Sequence, residues 1–96
     1  MKVNWSERAE NELSQNLAYL AKMWNAQVAG KFLTKLVSKI NSIKSNPNQF
    51  PSYDSTRNIR KCLIRKQISV YYTFDESEIY ILSVFNNKQT PEKLKF

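Results

Sequence analysis

The sequence predicts an α+β fold, in which an antiparallel hairpin of two helices packs on one face of a small twisted, mainly antiparallel sheet. Two apolar stripes with helical spacing follow one another in the first half of the chain. Three strand patterns joined by short turns fill the second half, and turns of this length make neighbouring strands antiparallel. Helices laid on one face of such a sheet bury both sets of apolar residues. The predicted order of elements is β-α-α-β-β-β.

The chain opens with a short strand pattern at residues 2–5, in which Val3 and Trp5 share one face. Ser6 is the predicted N-cap of the first helix, because its side chain can accept a hydrogen bond from the first helical turn. This helix is predicted over residues 7–23. The apolar stripe that predicts it has spacings of three and four residues and consists of Ala9, Leu13, Leu17, Leu20 and Trp24.

The second helix is predicted over residues 26–45, with Asn25 as its N-cap. It ends at Asn46 because the residue before a proline is disfavoured in the helical region. A link this short between two helices predicts an antiparallel hairpin. The stripe of the second helix consists of Val28, Phe32, Leu36, Ile40 and Ile43.

Residues 46–58, NPNQFPSYDSTRN, are predicted to form a loop, since they contain two prolines and several Asn, Ser and Asp residues. Phe50 and Tyr53 are expected to anchor this loop to the body of the protein. Strands are predicted from β-branched and aromatic residues and from alternation. They cover residues 58–64, 68–75 and 78–85. The expected core consists of Leu13, Leu17, Leu20, Phe32, Leu36, Ile40, Val70 and either Tyr72 or Tyr71.

Composition excludes several classes of chemistry. We expect one domain over residues 1–96, and the absence of histidine removes Ser-His-Asp and Cys-His catalysis together with the commonest metal ligand. Cys62 alone cannot form a zinc site, and it is expected to be a small buried hydrophobic residue. Gly30 is the only glycine, so there is no glycine-rich phosphate loop. We therefore predict no metal and no cofactor. The single cysteine and the lack of an apolar N-terminal segment favour a cytoplasmic protein without a membrane partner.

The chain is basic, with a formal net charge of +7 from 15 Lys and Arg against 8 Asp and Glu. A charge of this sign attracts polyanions or acidic partner proteins. Its densest basic segment is RNIRKCLIRK at residues 57–66, which contains no acid. The basic residues of this segment are Arg57, Arg60, Lys61, Arg65 and Lys66.

Helices can cover only one face of the sheet, so the other face is predicted to be open to solvent or to a partner. Ser69, Tyr71 and Thr73 are assigned to this open face. Adjacent strand residues point to opposite faces, and Arg60 is assigned to the open face in preference to Lys61. In the other interpretation, both cations protect an edge strand from aggregation.

Three further residues are candidates for binding. Arg65 is expected beside the open face, and Lys88, in the segment NNKQTP, at its edge. Lys88 either contacts an anionic target or is a solvated lysine in a turn. One of Tyr71 and Tyr72 is expected in the core, and the other could stack on a base or face a partner. Trp24 is expected to serve packing rather than recognition.

The order of elements resembles that of the RelE/ParE superfamily of toxins from bacterial type II toxin–antitoxin modules, and several motifs share the resemblance. These motifs are PNQFP, NIRKCLI, ISVYYTFDESEIYIL and VFNNKQTPEKL. The resemblance covers nearly the whole chain. It implies a growth inhibitor that a cognate antitoxin, acidic in its toxin-binding segment, neutralises, as in plasmid stabilization systems.

The superfamily divides by target, and the resemblance leaves two function classes. RelE-like members cleave mRNA on the ribosome without metal, whereas ParE-like members poison DNA gyrase. The RelE-like branch implies an arginine in the strand QISVYYTF, yet residues 67–74 contain no basic residue. A second expected arginine is replaced by Lys88, and no terminal acid–base tyrosine or histidine is present.

These departures favour a ParE-like toxin that acts on gyrase or another protein. A RelE-like endoribonuclease is the alternative, and a non-toxic nucleic-acid-binding module is a more distant one. If the chain is an enzyme, Arg60 and Lys88 are its candidate catalytic residues. The residues predicted to bind the target or nucleic acid are Arg57, Arg60, Lys61, Arg65, Tyr71 and Lys88.

Overall fold

The computed structural model describes residues 1–96 as a five-stranded sheet with two helices on one face. The sheet order is β1-β5-β4-β3-β2. A short 3-10 helix, Pro91–Lys93, follows the last strand. The strands and helices are β1 (Lys2–Trp5), α1 (Glu7–Met23), α2 (Ala26–Ser45), β2 (Ser52–Asp54), β3 (Ile59–Arg65), β4 (Ile68–Phe74) and β5 (Glu78–Asn86).

Both helices begin and end where the sequence predicts, because their signals are local. The Ser6 hydroxyl accepts a hydrogen bond from the backbone N–H of Ala9 at 3.0 Å. Asn25 Oδ1 accepts one from the N–H of Val28 at 2.9 Å. Each cap satisfies a backbone donor that has no partner within its helix. No helix is both long and apolar enough to cross a membrane.

The α+β class and the order of the predicted elements are confirmed, with one additional strand. β1 is parallel to β5, and all other neighbouring strands are antiparallel. Ser52–Asp54, predicted as loop, pairs with the start of β3 as an edge strand. The N–H of Lys61 donates to the carbonyl of Pro51 at 3.0 Å. Proline is tolerated at a sheet edge, so the prolines of this segment do not prevent pairing.

The main core lies between the helices and the sheet. Leu20, Phe32 and Leu36 meet Val70 and Tyr72 there, and Cys62 is buried as predicted. The predicted core residues Leu13 and Leu17 are only partly buried against this cluster. Trp24 is 59% exposed, so its assignment to packing is wrong. It forms the C-cap of α1 with non-helical dihedral angles, which take its side chain off the helical stripe.

The opposite face of the sheet carries a second, smaller core. Leu94 and Phe96 of the C-terminal tail pack there against Ile59, Tyr71 and Phe85. The predicted open face is therefore covered around Tyr71, whereas Thr73 is half-buried and Leu63 is exposed. Two of the residues assigned to it are fully buried, since Ser69 is 0% and Tyr71 1% exposed.

Two arginines hold the tail in place. Arg8 on α1 donates to the main-chain oxygens of Lys93 and Lys95, and its guanidinium lies 5.4 Å from the ring of Phe96. Arg57 donates to the main-chain oxygen of Phe96. Charge-assisted hydrogen bonds of this kind are stronger than neutral ones. The tail is thus fixed by both apolar packing and polar contacts.

Candidate functional site

At the start of β3, Arg57 belongs to a local polar network. Its Nε donates to Asp54 Oδ2 at 2.9 Å. The Thr56 hydroxyl donates to the other carboxylate oxygen at 2.7 Å. The hydrogen bonds from Thr56 and then Arg57 lower the pKa of Asp54 to about 2. Together with the contact to the tail, these bonds engage the Arg57 guanidinium in contacts within the protein, so its role is structural.

Arg60 lies on the helix-covered face of the sheet, so its predicted assignment to the opposite face is wrong. It is paired across the strands with Tyr72, whose side chain is in the main core. Its Nη1 donates to the carbonyls of Phe50 at 2.8 Å and Asn48 at 3.2 Å. Arg60 therefore holds the loop before β2 against the sheet.

Lys61 points to the opposite face, where it is paired with Tyr71. Its Nζ lies 5.8 Å from the centroid of the Tyr71 ring, within reach of a cation–π contact. The Tyr71 hydroxyl donates to Asn87 Oδ1 at 2.7 Å. Burial raises the pKa of Tyr71, so this side chain is a neutral core residue and has no free ring face for a base.

The segment NNKQTP after β5 has separate roles for its first three residues. Asn86 Oδ1 accepts the backbone N–H of Lys88 at 3.0 Å, which makes a tight turn. The Asn87 side chain donates to the carbonyl of Gln67 at 2.7 Å and to the Ser69 hydroxyl at 3.2 Å. The asparagines therefore close the end of the sheet. The Lys88 side chain is left exposed there.

Lys88 shares this end of the sheet with two other cations and two aromatic residues. They line a small cavity of about 90 Å³, together with the end of β5. Tyr19 is 52% and Trp24 59% exposed, and no carboxylate contributes to the cavity. The Nζ of Lys66 lies 5.5 Å from the Trp24 ring. We call this group the cation–aromatic end; it consists of Tyr19, Trp24, Arg65, Lys66 and Lys88.

The backbone of Lys66 is held in the left-handed region, with φ of 48°. It occupies the two-residue turn between β3 and β4, a position that favours glycine or asparagine. A side chain in this conformation costs roughly 1–2 kcal/mol. Lysine thus occupies a position where its backbone preference is unfavourable. This places a cation at the tip of the turn.

Sequence reasoning found Arg65 and Lys88 of this group and missed the others. Tyr19 lies off the apolar stripe of α1, and a large aromatic residue on the polar face of a helix was a signal that could have found it. Trp24 was assigned to the stripe, although it directly precedes the cap of α2. Lys66 required knowledge of the turn geometry.

The two candidate catalytic residues do not converge. Arg60 is at the level of Tyr72 on β4. Lys88 follows Asn86, which is paired with Ile68. Tyr72 and Ile68 are four residues apart, or roughly 13 Å along the strand. Arg60 is also held by the backbone carbonyls of Asn48 and Phe50, and it does not line the cavity that Lys88 lines.

A nucleophile with an activating base is also missing from the cation–aromatic end. The only cysteine, Cys62, is buried in the main core, and burial raises its pKa to about 11. A thiol in that state is a poor nucleophile. The exposed cations and aromatic rings can bind anionic and planar groups.

Two kinds of comparison place the chain among known proteins. The family model described as "ParE toxin of type II toxin-antitoxin system, parDE" matches residues 3–91. No curated protein matches the sequence. The chain is similar in structure to a chain of the chromosomal ParDE system from P. aeruginosa, with a TM-score of 0.75 and 19% identity. That match covers 90% of this chain and 95% of the other.

A second similar structure is the heterotetrameric YoeB–YefM toxin–antitoxin complex from Staphylococcus aureus. The TM-score is 0.59 at 18% identity, and the match covers 88% of this chain and 93% of the other. At these identities the two structures show a shared fold. The family model spans nearly all of the chain, and it ends where the C-terminal tail begins. The chain belongs to the ParE toxin family of type II toxin–antitoxin systems.

Proposed function

We propose that this toxin arrests growth by binding a protein target in the cytoplasm, DNA gyrase as in the ParE-like branch, and not by cleaving RNA. The separation of Arg60 from Lys88 is the observation that carries this proposal. Without metal or histidine, hydrolysis of a phosphodiester would depend on several cations that converge on the charge developing in the transition state. Arg60 is instead occupied by the carbonyls of Asn48 and Phe50.

The cation–aromatic end is the surface that we assign to the target. Trp, Tyr and Arg are the residue types that dominate the energetics of protein interfaces. Here an exposed tryptophan and tyrosine lie beside three cations without a carboxylate among them. Such a surface is complementary to an acidic patch that offers an apolar recess. The target-binding residues are therefore proposed to be Tyr19, Trp24, Arg65, Lys66 and Lys88.

We further propose that a cognate antitoxin with an acidic toxin-binding segment neutralises the protein. The similar structures come from a toxin–antitoxin system and a toxin–antitoxin complex, and the net charge of +7 supports an acidic partner. Attraction between opposite charges raises the association rate at low salt. The association rate with the antitoxin should therefore fall as ionic strength rises. An association rate that is independent of salt would argue against an electrostatic contribution.

The target can be tested with the purified protein in two parallel assays. One assay measures supercoiling of relaxed plasmid by gyrase, and the other measures mRNA length after incubation with translating ribosomes. We expect inhibition of supercoiling and intact mRNA. The double variant Arg65→Ala/Lys88→Ala should lose the inhibition. The matched control Lys22→Ala/Lys44→Ala removes the same charge from exposed helical positions and should keep it. Ribosome-dependent cleavage that disappears in Lys88→Ala would identify a nuclease instead.

A further inference from the structure

The acidic residues of the chain are absent from one side of the molecule. Between Glu12 and Asp75 the only acid is Asp54. α2 contains four lysines and no carboxylate, and β3 contains three cations and no carboxylate. Since α2 packs over β3, the two acid-free elements form one continuous basic surface. The positive charge is therefore concentrated on one side of the molecule, which the net charge alone does not show.

Six cations of this surface border two connected grooves. Lys31, Lys35 and Lys39 follow one flank of α2 at intervals of one turn, or about 6 Å. One groove of about 530 Å³ runs between this flank and the edge of β3, over Phe50 and Leu63. A second groove of about 340 Å³ adjoins it. We call the whole feature the lysine groove; its cations are Lys31, Lys35, Lys39, Lys61, Arg65 and Lys66.

The cations of the lysine groove have no carboxylate partners. The ion pairs of the structure involve Lys2, Arg8 and Arg57, which all lie elsewhere. Three groove lysines instead lie over aromatic rings: Lys39 over Phe50, Lys61 over Tyr71 and Lys66 over Trp24. Uncompensated like charges in one place repel one another and create a positive potential that attracts an external polyanion.

We propose that the lysine groove binds the phosphodiester backbone of nucleic acid. Five of its six cations are lysines, a residue type that is depleted from protein–protein interfaces. Lysine is a mobile point charge, which suits contacts to successive phosphates without a fixed base sequence. Arginine would be expected where carboxylates of a protein partner are bound in a bidentate fork. The composition thus favours a nucleic acid over an acidic protein.

This inference does not depend on which protein the toxin inhibits. The groove lies on α2 and the edge of β3, and it shares only Arg65 and Lys66 with the cation–aromatic end. The lysines of α2 can therefore be changed without touching the surface assigned to the target. Failure of nucleic-acid binding can therefore be distinguished from failure of gyrase inhibition.

The test is a fluorescence anisotropy titration of the purified protein with labelled oligonucleotides of about 12 nucleotides, at several salt concentrations. Single-stranded DNA and duplex DNA of equal length form two arms, and labelled poly-glutamate forms a third. The variant is Lys31→Ala/Lys35→Ala/Lys39→Ala, which keeps high helix propensity in α2. The matched control is Lys22→Ala/Lys44→Ala/Lys93→Ala, which removes the same charge outside the groove.

We expect the parent protein to bind at least one form of DNA with an affinity that falls steeply with salt. Counterion release predicts about 0.7–0.9 units of log–log slope per phosphate contact. The groove variant should therefore lose about two units of slope and bind roughly 100-fold more weakly at about 0.1 M salt, while the control stays near the parent. A preference for single strands would place the backbone inside the groove, and a preference for duplex would place it across the rims.

Three results would overturn the proposal. If the groove variant and the control lost DNA affinity equally, the effect would come from net charge and not from the groove. Failure of the parent to bind either DNA at about 0.05 M salt would exclude a phosphodiester site. Tighter binding of poly-glutamate than of DNA, lost in the groove variant, would make the groove a docking surface for an acidic protein.

Discussion

The two ends of β3 both carry cations, but only those at its beginning are bonded to the rest of the protein. At its beginning, Arg57 and Arg60 donate to a carboxylate and to backbone carbonyls of the same chain. At its end, Arg65 and Lys66 have neither an ion pair nor a hydrogen bond from their side chains to the rest of the protein, and Lys88 lies beside them. A single basic segment therefore combines residues that hold the fold together with residues that we propose bind the target.

The difference follows from what surrounds each end of the strand. The C-terminal tail and the segment before β2 converge on the beginning of β3 and present main-chain oxygens to the arginines. The other end passes into a two-residue turn, beyond the point where β2 covers the strand. Buried carbonyls need donors, and arginine supplies several from one side chain. Counting charges along a sequence does not distinguish these two situations.

Removal of the tail residues 91–96 should have the largest effect, because the tail covers the beginning of β3, which we call the structural end of the strand. The other end, at Arg65 and Lys66, is called the binding end. Leu94 and Phe96 pack on Ile59 and Tyr71, and burial of two such side chains contributes roughly 3 kcal/mol. We expect the free energy of unfolding, measured by urea denaturation, to fall by about that amount. Leu94→Ala alone should lower it by about half as much. Unchanged stability in the truncated chain would show that the second core contributes little.

Arg60→Ala should be the next largest change. It removes two charge-assisted hydrogen bonds to the carbonyls of Asn48 and Phe50. Arg60 Nε is buried without a partner, which offsets part of the gain from these bonds. We expect the free energy of unfolding to fall by about 1–2 kcal/mol, against less than about 0.5 kcal/mol for Arg65→Ala. Equal effects of the two variants would remove the distinction between the two ends of the strand.

Of the two ends of β3, only the beginning has a neighbouring carboxylate, Asp54, whose lowered pKa makes stability depend on pH. Because hydrogen bonds from Thr56 and Arg57 lower the folded pKa of Asp54 from 3.8 to about 2, ionised Asp54 stabilises the fold above about pH 4. This contribution is lost as the pH falls from about 4 towards 2. Urea midpoints across this range should depend less on pH in Asp54→Asn. The control Glu92→Gln removes an exposed carboxylate and should keep the steeper dependence.

The smallest effect is expected at the binding end, and it has the opposite sign. Lys66→Gly relieves the left-handed backbone at φ of 48°, and the flexibility of glycine in the unfolded chain offsets part of the gain. We expect the free energy of unfolding to rise by about 0.5 kcal/mol. Asn58→Gly, at φ of 53° beside the structural end, is the control. Asparagine tolerates this conformation, so that change should not stabilise the protein.

The parts of the fold that local signals determine could be predicted from the sequence. Ser6 and Asn25 mark the starts of both helices, and Pro47 marks the end of the second. Strand positions were predicted to within one residue, since alternating and β-branched residues are also local signals. The alternation in β4 also gave both tyrosines as neighbours on opposite faces.

The remaining features depend on contacts between distant residues. Alternation along β3 divides its residues into two sets, but it does not say which set faces the helices, so Arg60 and Lys61 were assigned the wrong way round. β2 and the tail carry weak patterns of their own. β2 forms by pairing with β3, and the tail is held by Arg8 and Arg57, which are far away in the sequence. The candidate site likewise joins Tyr19 to Lys88, which only the folded chain brings together.

Growth arrest in cells is the most direct measurement of whether the binding end of β3 acts on a target. The variant Arg65→Ala/Lys88→Ala is compared with Lys22→Ala/Lys44→Ala after induction at equal protein level and equal melting temperature. We expect that the first variant no longer arrests growth, whereas the second arrests it like the parent protein. Both variants arresting growth as strongly as the parent would contradict the assignment of this surface to the target.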